Sequence, residues 1–264
     1  MPFTIINPQG NRVPVVVSVP HCGTQIPDDI RDTYCPKQLQ CIDDTDWFVD
    51  KLYDFAPQMG ITMICAKYSR WVIDLNRDPK GAALYNDGRI ITELTPTKNF
   101  LGESLYRDQI PDENEIARRL QEYYWPYHNK IRELLEDLHN EFSQVLFFDA
   151  HSIRRVVTTI RKDPFPDLIL GNQDGKTAKS SLINTVLRVL KDSGYTVQHN
   201  DPFKGGTLTR SFGNPDAGTH ALQLEMTKIN YMDDDELCYD EKRAAKMRQL
   251  LQKMFSNLLE EIQK

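Results

Sequence analysis

Continuous apolar runs alternate along the chain with longer amphipathic stretches. Residues 13–19 and 145–148 are β-branched or apolar almost throughout, a pattern typical of strands that are covered on both faces. Shorter apolar runs predict further strands at residues 61–65, 71–74, 167–170, 195–198 and 221–225. Strands that alternate with helices favour an α/β fold with a mostly parallel sheet.

Helices are predicted in the amphipathic stretches. Apolar residues recur at helical spacing over about 44–55, and residues 178–193 and 240–262 also have the character of helices. Residues 113–141 form a longer amphipathic stretch, in which Pro126 must remove an intrahelical hydrogen bond. A kink or a break is therefore expected in this stretch.

The chain is predicted to form one domain over residues 1–264. It contains no internal repeat and no linker-like segment, and 264 residues suit a single large α/β unit. The predicted architecture is a three-layer α/β/α sandwich around a mostly parallel, mixed sheet. Residues 76–112 carry Gly, Pro, Asn and Asp without a sustained period, which predicts a long functional loop.

Composition and charge narrow the classes of function. The chain has 32 basic and 38 acidic residues, a net charge of −6, so it lacks the excess positive charge that nucleic-acid binding requires. The first residues lack a basic segment followed by an apolar one, and no apolar run approaches the length of a membrane span. We expect a soluble, cytoplasmic protein that acts on a small molecule and does not bind a membrane.

The cysteines argue against two kinds of site. There are 5 cysteines, an odd number, and no two of them form a C-x-x-C pair. This pattern disfavours both a disulfide framework and a zinc site built from thiolates.

Polar side chains occur at the ends of the predicted strands. In open α/β sheets ligands bind beyond the carboxyl ends of the strands, which draws attention to His21, Asp149, His151 and Glu225. Two histidines and one carboxylate form the protein ligands of many hydrolytic zinc sites. Taken singly, a histidine at a strand end is more often an ordinary loop residue than a ligand, and it is the occurrence of two, each after an apolar strand, that makes a shared site an equal alternative.

The carboxylate of such a set has several candidates. Asp44 and Asp46 lie nearest to the first strand, although either could instead cap the helix that follows. Asp149 is two residues from His151 and could serve as its hydrogen-bond partner. Glu225 is flanked by residues that favour burial, so its charge must have a partner, such as a metal-bound water.

A second group of residues could bind an anion. Arginine side chains suit carboxylate recognition, and a turn with two consecutive glycines presents backbone amides. The candidates are Arg70, Arg77, Lys204, Gly205, Gly206 and Arg210. Surface salt bridges and a simple turn are the alternative interpretations. His128 lies in an aromatic stripe and is expected to pack in the core.

Seven short motifs follow one another along the chain. They are Val19-Pro-His21-Cys-Gly23, Asp44-Thr-Asp46-Trp47, Ser69-Arg70 with Asp74-Leu-Asn76-Arg77, Trp125-Pro-Tyr-His128, Asp149-Ala-His151-Ser152, Pro202-Phe-Lys-Gly-Gly206, and Leu224-Glu225 with Tyr231-Met232. In this order they resemble the N-formylglutamate amidohydrolase (N-formylglutamate deformylase) family over about residues 13–233.

The resemblance implies a fold and a reaction. The family is similar in fold to zinc carboxypeptidases and aspartoacylases, and the implied reaction is the hydrolysis of N-formyl-L-glutamate to L-glutamate and formate. This reaction is the last step of one route of histidine degradation. By the same resemblance His21 and His151 are expected to bind zinc, and Glu225 is expected to activate water.

Other residues are assigned by the same resemblance. The Asn76-Arg77 pair resembles the carboxypeptidase pair that polarises the scissile carbonyl and holds a carboxylate. Arg77 and Arg210, with Arg70, are expected to neutralise the two substrate carboxylates. The chain departs from the peptidase pattern at Thr24, where those enzymes have a glutamate ligand. Asp46 is therefore favoured as the third ligand, with Asp44 as the alternative.

Three alternatives remain open at this point. The substrate could be another N-acyl amino acid. A mononuclear iron oxygenase also uses two histidines and one carboxylate. A non-catalytic protein of the same fold could bind a dicarboxylate without a metal. The sequence carries no signal for an oligomeric state.

Overall fold

A seven-stranded mixed sheet forms the centre of the described structure. The computed structural model of the chain describes residues 1–81 and 92–264. Within these ranges the strands are β1 (Phe3–Ile6), β2 (Val15–Val19), β3 (Thr62–Ala66), β4 (Val145–Ile153), β5 (Leu168–Gly171), β6 (Val197–His199) and β7 (Thr219–Thr227). Their order across the sheet is β1-β3-β2-β4-β7-β5-β6. Four pairs are parallel, and β1–β3 and β5–β7 are antiparallel, which confirms the mostly parallel α/β sheet.

The described residues also contain eight α-helices. They are α1 (Asp28–Arg31), α2 (Pro36–Gln40), α3 (Val49–Leu52), α4 (Glu113–Arg119), α5 (Trp125–His139), α6 (Ser180–Lys191), α7 (Thr207–Phe212) and α8 (Glu241–Ile262). Short 3₁₀ helices span Ala56–Met59, Pro215–Ala217 and Lys228–Asn230. Helices α6 and α8 lie within the predicted ranges. In the part of the chain that the structure describes, no helix is both long and apolar enough to cross a membrane.

Helices cover both faces of the sheet. Side chains alternate between the two faces of a strand, so Val15 and Val17 pack in the cluster with α6 and α8, whereas Val16 packs in the cluster with α5. All three valines are fully buried. The double coverage explains why β2 reads as a continuous apolar run, and it confirms the three-layer α/β/α arrangement.

Two strands are longer than the sequence predicts. β4 continues past Phe148 to Ile153, and β7 continues past Glu225 to Thr227. The prediction that Asp149 and His151 follow the end of their strand is therefore wrong, and Glu225 is not the last residue of its strand; all three lie within the paired parts of the sheet. Asp149 and His151 are two residues apart in a strand and share one face.

Two further predictions are corrected. Residues 71–74 are buried but form a turn followed by irregular chain rather than a strand. The helix predicted over 44–55 is limited to Val49–Leu52, followed by the 3₁₀ turn. Asp44 accepts hydrogen bonds from Trp71 Nε1 and Phe100 N, and Phe48 has a φ of 63°, so the chain before Val49 cannot be helical.

The regular α-helix in the stretch 113–141 is interrupted next to Pro126, as expected. A π-helical segment, Leu120–Tyr124, lies between α4 and α5, and the N–H of Trp125 bonds the carbonyl of Leu120, five residues earlier, so the chain stays helical through the irregularity. Of the loop predicted over 76–112, residues 82–91 lie outside the described residues. The part from 92 to 112 contains no helix or strand.

The hydroxyl group of Tyr127 joins α5 to the sheet. It donates to the carbonyl oxygen of Ile64 at 3.2 Å and lies 3.0 Å from Ser18 Oγ, and all three groups are buried. The hydroxyl group of Tyr53 is equally buried but has no hydrogen-bond partner among the described residues. The two tyrosines therefore form a matched pair for a test of stability.

We expect Tyr127→Phe to lower the free energy of unfolding by about 1–3 kcal/mol, because the carbonyl of Ile64 and the hydroxyl of Ser18 lose a buried partner. Tyr53→Phe removes the same atom without leaving a partner unpaired and should be neutral or stabilising. Urea denaturation of both variants measures the difference. Equal losses of stability in the two variants would contradict this account of Tyr127.

Candidate metal centre

Three residues predicted as metal ligands converge at one point. One potential ligand atom from each of His21, Asp46 and His151 lies within 4.8 Å of the others. Asp46 Oδ2 is 3.2 Å from Nδ1 of His151 and 3.7 Å from Nδ1 of His21. The three side chains are buried, and the two imidazole rings have their centroids 4.9 Å apart.

The order of the strands accounts for this convergence. β2 and β4 are adjacent and parallel, so His21, just beyond β2, comes close to His151 in β4. Asp46 lies on irregular chain before α3, and its backbone N–H donates to the carbonyl of His21 at 3.0 Å. That bond brings the third residue to the two histidines.

Each histidine presents the same nitrogen to the centre. Nε2 of His21 is 2.8 Å from Asp74 Oδ1, and Nε2 of His151 is 3.0 Å from Asp149 Oδ2. A carboxylate only accepts hydrogen bonds, so Nε2 of His21 donates to Asp74 and leaves Nδ1 directed at Asp46. Nε2 of His151 lies between Asp149 and Asn76 Nδ2, which is 2.9 Å away, and its Nδ1 is likewise directed at Asp46. Carboxylates that orient metal-binding histidines in this way are a common feature of zinc sites.

The donor set fits a divalent cation. Nδ1 of His21 is buried without a hydrogen-bond partner among the described residues, as a lone pair reserved for a metal would be. Two imidazoles and one carboxylate leave a coordination position open, which is typical of catalytic rather than structural zinc sites.

Asp44 has a different position from Asp46. Its two carboxylate oxygens accept hydrogen bonds from Trp71 Nε1 at 2.8 Å and from Phe100 N at 2.9 Å. Burial raises the pKa of this carboxyl group despite those bonds. Asp44 thus fixes neighbouring chain segments, and the geometry favours Asp46 as the third ligand.

The buried charges in the cluster stabilise one another. Burial alone would raise the pKa of Asp46, but the hydrogen bond from His151 and the nearby imidazole of His21 lower it well below the usual range. Burial likewise opposes protonation of His151, yet the adjacent charge of Asp149 raises the pKa of His151 well above its ordinary value. In the metal-free protein the proton on His151 therefore supplies the positive charge that a bound cation would otherwise supply.

Arg70 balances the carboxylate behind His21. Its Nη2 atom donates to Asp74 Oδ2 at 2.5 Å, and its guanidinium group lies 4.8 Å from the ring centre of Phe100. Burial opposes ionisation of Asp74, but Arg70 and then Arg77 hold its pKa well below the usual range. Asp74 therefore remains an anion that accepts the proton of His21 Nε2.

Glu225 lies beside the candidate ligands. β4 and β7 are parallel, and their register pairs His151 with Glu225. The Glu225 side chain is partly exposed, and its one described hydrogen bond is a long one of 3.4 Å from Gln223 Nε2. Burial raises its pKa to about 8, so the carboxyl group is easily protonated in the metal-free protein.

Asn76 connects two parts of the site. Its Oδ1 atom accepts from Leu208 N at 2.8 Å, and its Nδ2 atom donates to Asp149 Oδ2 at 3.1 Å. A side chain at Gly206 would place its Cβ 2.4 Å from Asn76 Oδ1, so glycine is required at this close approach. Both polar atoms of Asn76 are thus engaged with the protein, and Nδ2 also lies 2.9 Å from Nε2 of His151, so Asn76 is next to a candidate metal ligand.

The predicted anion-binding cations lie in different surroundings. Arg77 donates to Thr92 through Nε and Nη2, and its Nη1 atom is 3.8 Å from Asp74 Oδ2. Arg210 Nε donates to the carbonyl of Gly205 at 2.9 Å, and Gly205 has a φ of 108° that favours glycine. Lys204 forms an exposed ion pair with Asp174 at 2.7 Å, directed to the surface.

Two functional residues were not singled out from the sequence. Asp74 and Gln223 support the site, Asp74 through His21 and Gln223 through its bond from Gly206 N at 2.8 Å. Each of these residues is a polar position within an apolar run of the sequence, and that pattern could have indicated it. His128 packs against Tyr124 and bonds the carbonyl of Leu75, as expected for a core histidine, and burial lowers its pKa to about 4.

Comparisons with known proteins identify the family. The family model for N-formylglutamate amidohydrolase matches residues 13–232. N-formylglutamate deformylases of Pseudomonas putida and Pseudomonas aeruginosa are 35% and 36% identical to the chain, over 94% of it and 93% of each relative.

Solved structures agree with this match. The crystal structure of N-formylglutamate amidohydrolase from Ralstonia eutropha has a TM-score of 0.83 and 30% identity, with 98% of both chains covered. A gene product of Agrobacterium tumefaciens has the same fold, with a TM-score of 0.77 at 18% identity over 99% of this chain and 96% of that one. The chain belongs to the N-formylglutamate amidohydrolase family.

Proposed function

We propose that the chain hydrolyses the formyl amide of N-formyl-L-glutamate to L-glutamate and formate with one divalent cation, expected to be zinc. The observation that carries the proposal is the convergence of His21, Asp46 and His151 beside Glu225 in a member of this family. The pathway is expected to be histidine degradation, in the cytoplasm.

His21, Asp46 and His151 would hold the cation. When bound there, a divalent cation supplies Lewis acidity, which lowers the pKa of water and polarises a carbonyl group. The protein contributes the orientation of both imidazoles, because Asp74 and Asp149 lie beside the two Nε2 atoms and leave Nδ1 available.

Glu225 is the residue proposed to move protons. Its raised pKa reflects the metal-free state, and nearby positive charge favours the ionised form that accepts a proton. Glu225 would take a proton from the attacking water and deliver it to the nitrogen of the leaving glutamate. Its place opposite His151 in the sheet keeps the carboxylate at the centre without a flexible loop.

Arginines are proposed to hold the two carboxylates of the substrate. Arg77 follows Asn76 in the chain, and Arg210 lies on α7, whose Leu208 N–H donates to Asn76 Oδ1. Arg70, which is paired with Asp74, adds further positive charge to this region. The amides of Gly205 and Gly206 belong to the same turn, although Gly206 N is bonded to Gln223. The surface ion pair of Lys204 supports a structural role for that residue instead.

Alternative substrates and reactions are tested by activity. Formate release from N-formylglutamate, compared with N-formylaspartate and acetate release from N-acetylglutamate, distinguishes the amidohydrolase substrates. An iron oxygenase would require oxygen, so full activity under anaerobic conditions excludes that alternative. A non-catalytic dicarboxylate-binding protein would bind N-formylglutamate without releasing formate.

Removal of the metal should abolish formate release, and added Zn²⁺ should restore it. His21→Ala and His151→Ala should each weaken zinc binding by at least about 100-fold, because each removes one of three protein ligands. Metal analysis after dialysis and competition with a chromophoric chelator measure these changes. The control is His199→Ala, at the end of β6, which should keep wild-type affinity. Undiminished turnover in a chelator-treated, metal-free enzyme would refute the metal requirement.

Glu225→Gln should lower kcat by about 10²–10⁴-fold, because the amide keeps the shape but cannot accept the proton. The zinc affinity and the affinity for substrate should stay within a few-fold of wild type. Steady-state kinetics and zinc competition are the measurements, with Glu133→Gln on α5, an exposed position, as the matched control. A wild-type kcat in Glu225→Gln would rule out the proposed role.

Arg210→Gln should raise the KM for N-formylglutamate by about 10–100-fold with a smaller change in kcat, because one charge-assisted contact is lost. The preference for N-formylglutamate over N-formylglutamine should also decrease if Arg210 meets the side-chain carboxylate. Arg188→Gln, an exposed substitution on α6, serves as the control. An unchanged KM for Arg210→Gln would remove Arg210 from the substrate site.

A further inference from the structure

Asp46 is the candidate ligand farthest from the strands that carry the two histidines. His151 is inside β4 and His21 lies two residues after the end of β2, whereas Asp46 belongs to the turn Asp43–Asp46 before α3. Its geometry must therefore be maintained by contacts of that turn. Asp44 accepts hydrogen bonds from Trp71 and Phe100, and the backbone N–H of Asp46 donates to the carbonyl oxygen of His21.

Asp43 is held by cations from two strands. The guanidinium group of Arg154, directly after β4, binds the Asp43 carboxylate, with Nε 3.0 Å from both oxygens. The ammonium group of Lys228, directly after β7, donates to the backbone carbonyl oxygen of Asp43 at 3.1 Å. The residues that directly follow β4 and β7, the strands of His151 and Glu225, therefore both contact Asp43, the first residue of the Asp46 turn.

Lys228 is an unusual residue to find in this place. It is 2% exposed, and none of the described carboxylates forms an ion pair with its ammonium group. A buried ammonium group without a direct counter-ion is costly and needs a compensating interaction. Burial lowers the pKa of Lys228, and the negative charges of Asp46, Asp43 and Asp44 oppose that shift.

We propose that Lys228 is a positioning residue that holds the turn Asp43–Asp46, and thereby Asp46, in the geometry that binds a divalent cation. The inference rests on the proposed metal-dependent function. Arg154 restrains the side chain of Asp43, but it leaves the backbone carbonyl to Lys228. Lys228 therefore fixes the direction of the chain as it enters the turn.

Lys228→Met should weaken zinc binding by about 10–100-fold, the range typical of residues that orient metal ligands. Competition with a chromophoric chelator measures the affinity at a temperature well below unfolding, so that only folded protein is compared. Lys228→Arg should recover zinc affinity to within about threefold of wild type, because it retains both the charge and the donor. Lys130→Met, at a partly exposed position on α5, is the control.

The activity of Lys228→Met gives a second readout. At saturating zinc its kcat should return to near the wild-type value, because Lys228 acts through Asp46 and does not touch the substrate. Loss of stability alone, with wild-type zinc affinity, would show a merely structural role and overturn the proposal. Tighter zinc binding would overturn it as well, because charge repulsion would then outweigh positioning.

Lys228→Gln provides the test if Lys228→Met does not fold. It keeps a polar side chain but is shorter and uncharged, so it should lose the contact with the Asp43 carbonyl oxygen and weaken zinc binding in the same direction. Wild-type zinc affinity in Lys228→Gln would then overturn the proposal. Failure of the wild-type protein to bind zinc would refute the proposed metal function itself, which distinguishes the two outcomes.

Discussion

The adjacent, parallel pairing of β2, β4 and β7 is the constraint on which the candidate metal centre depends. It brings His21 beside His151 and sets Glu225 opposite His151 in the register of the sheet. A shift of one residue between β4 and β7 would turn Glu225 to the other face. The apolar residues that bury both faces of these strands therefore determine the position of the polar ones.

Electrostatic balance is the second requirement of the site. Buried carboxylates and cations occur in chains in which each charge has a neighbour of opposite sign, as in Arg70, Asp74 and His21. Such groups are costly to bury singly and are tolerated when they are paired and hydrogen-bonded. The same arrangement determines which imidazole nitrogen faces Asp46, so the chemistry of the centre follows from the pairing of charges around it.

Much of the fold and site was predictable from residue patterns, for identifiable reasons. Strands that are covered on both faces appear in the sequence as continuous apolar runs, and the positions of His21 and His151 next to such runs identified them as candidate ligands. The limits of β4 were missed because Asp149 and His151 are polar residues in a strand whose polar side chains face the site. The irregular segment 71–74 was mistaken for a strand because it is equally buried. Asp46 was favoured over Asp44 without a contact to support the choice, since the two are distinguished by the distances from Asp46 to both histidines and by the partners of Asp44.

The contacts of Phe100 link the surroundings of the site to its ligands. Its backbone N–H is bonded to Asp44, two residues from Asp46, while its carbonyl oxygen accepts the hydroxyl proton of Thr159 and its ring lies over Arg70. The segment around Phe100 is thus fastened to the ligand turn and to the arginine behind His21. Any displacement of Phe100 would therefore act on the ligand turn and on Arg70 together, so the two sides of the centre are mechanically coupled through one residue.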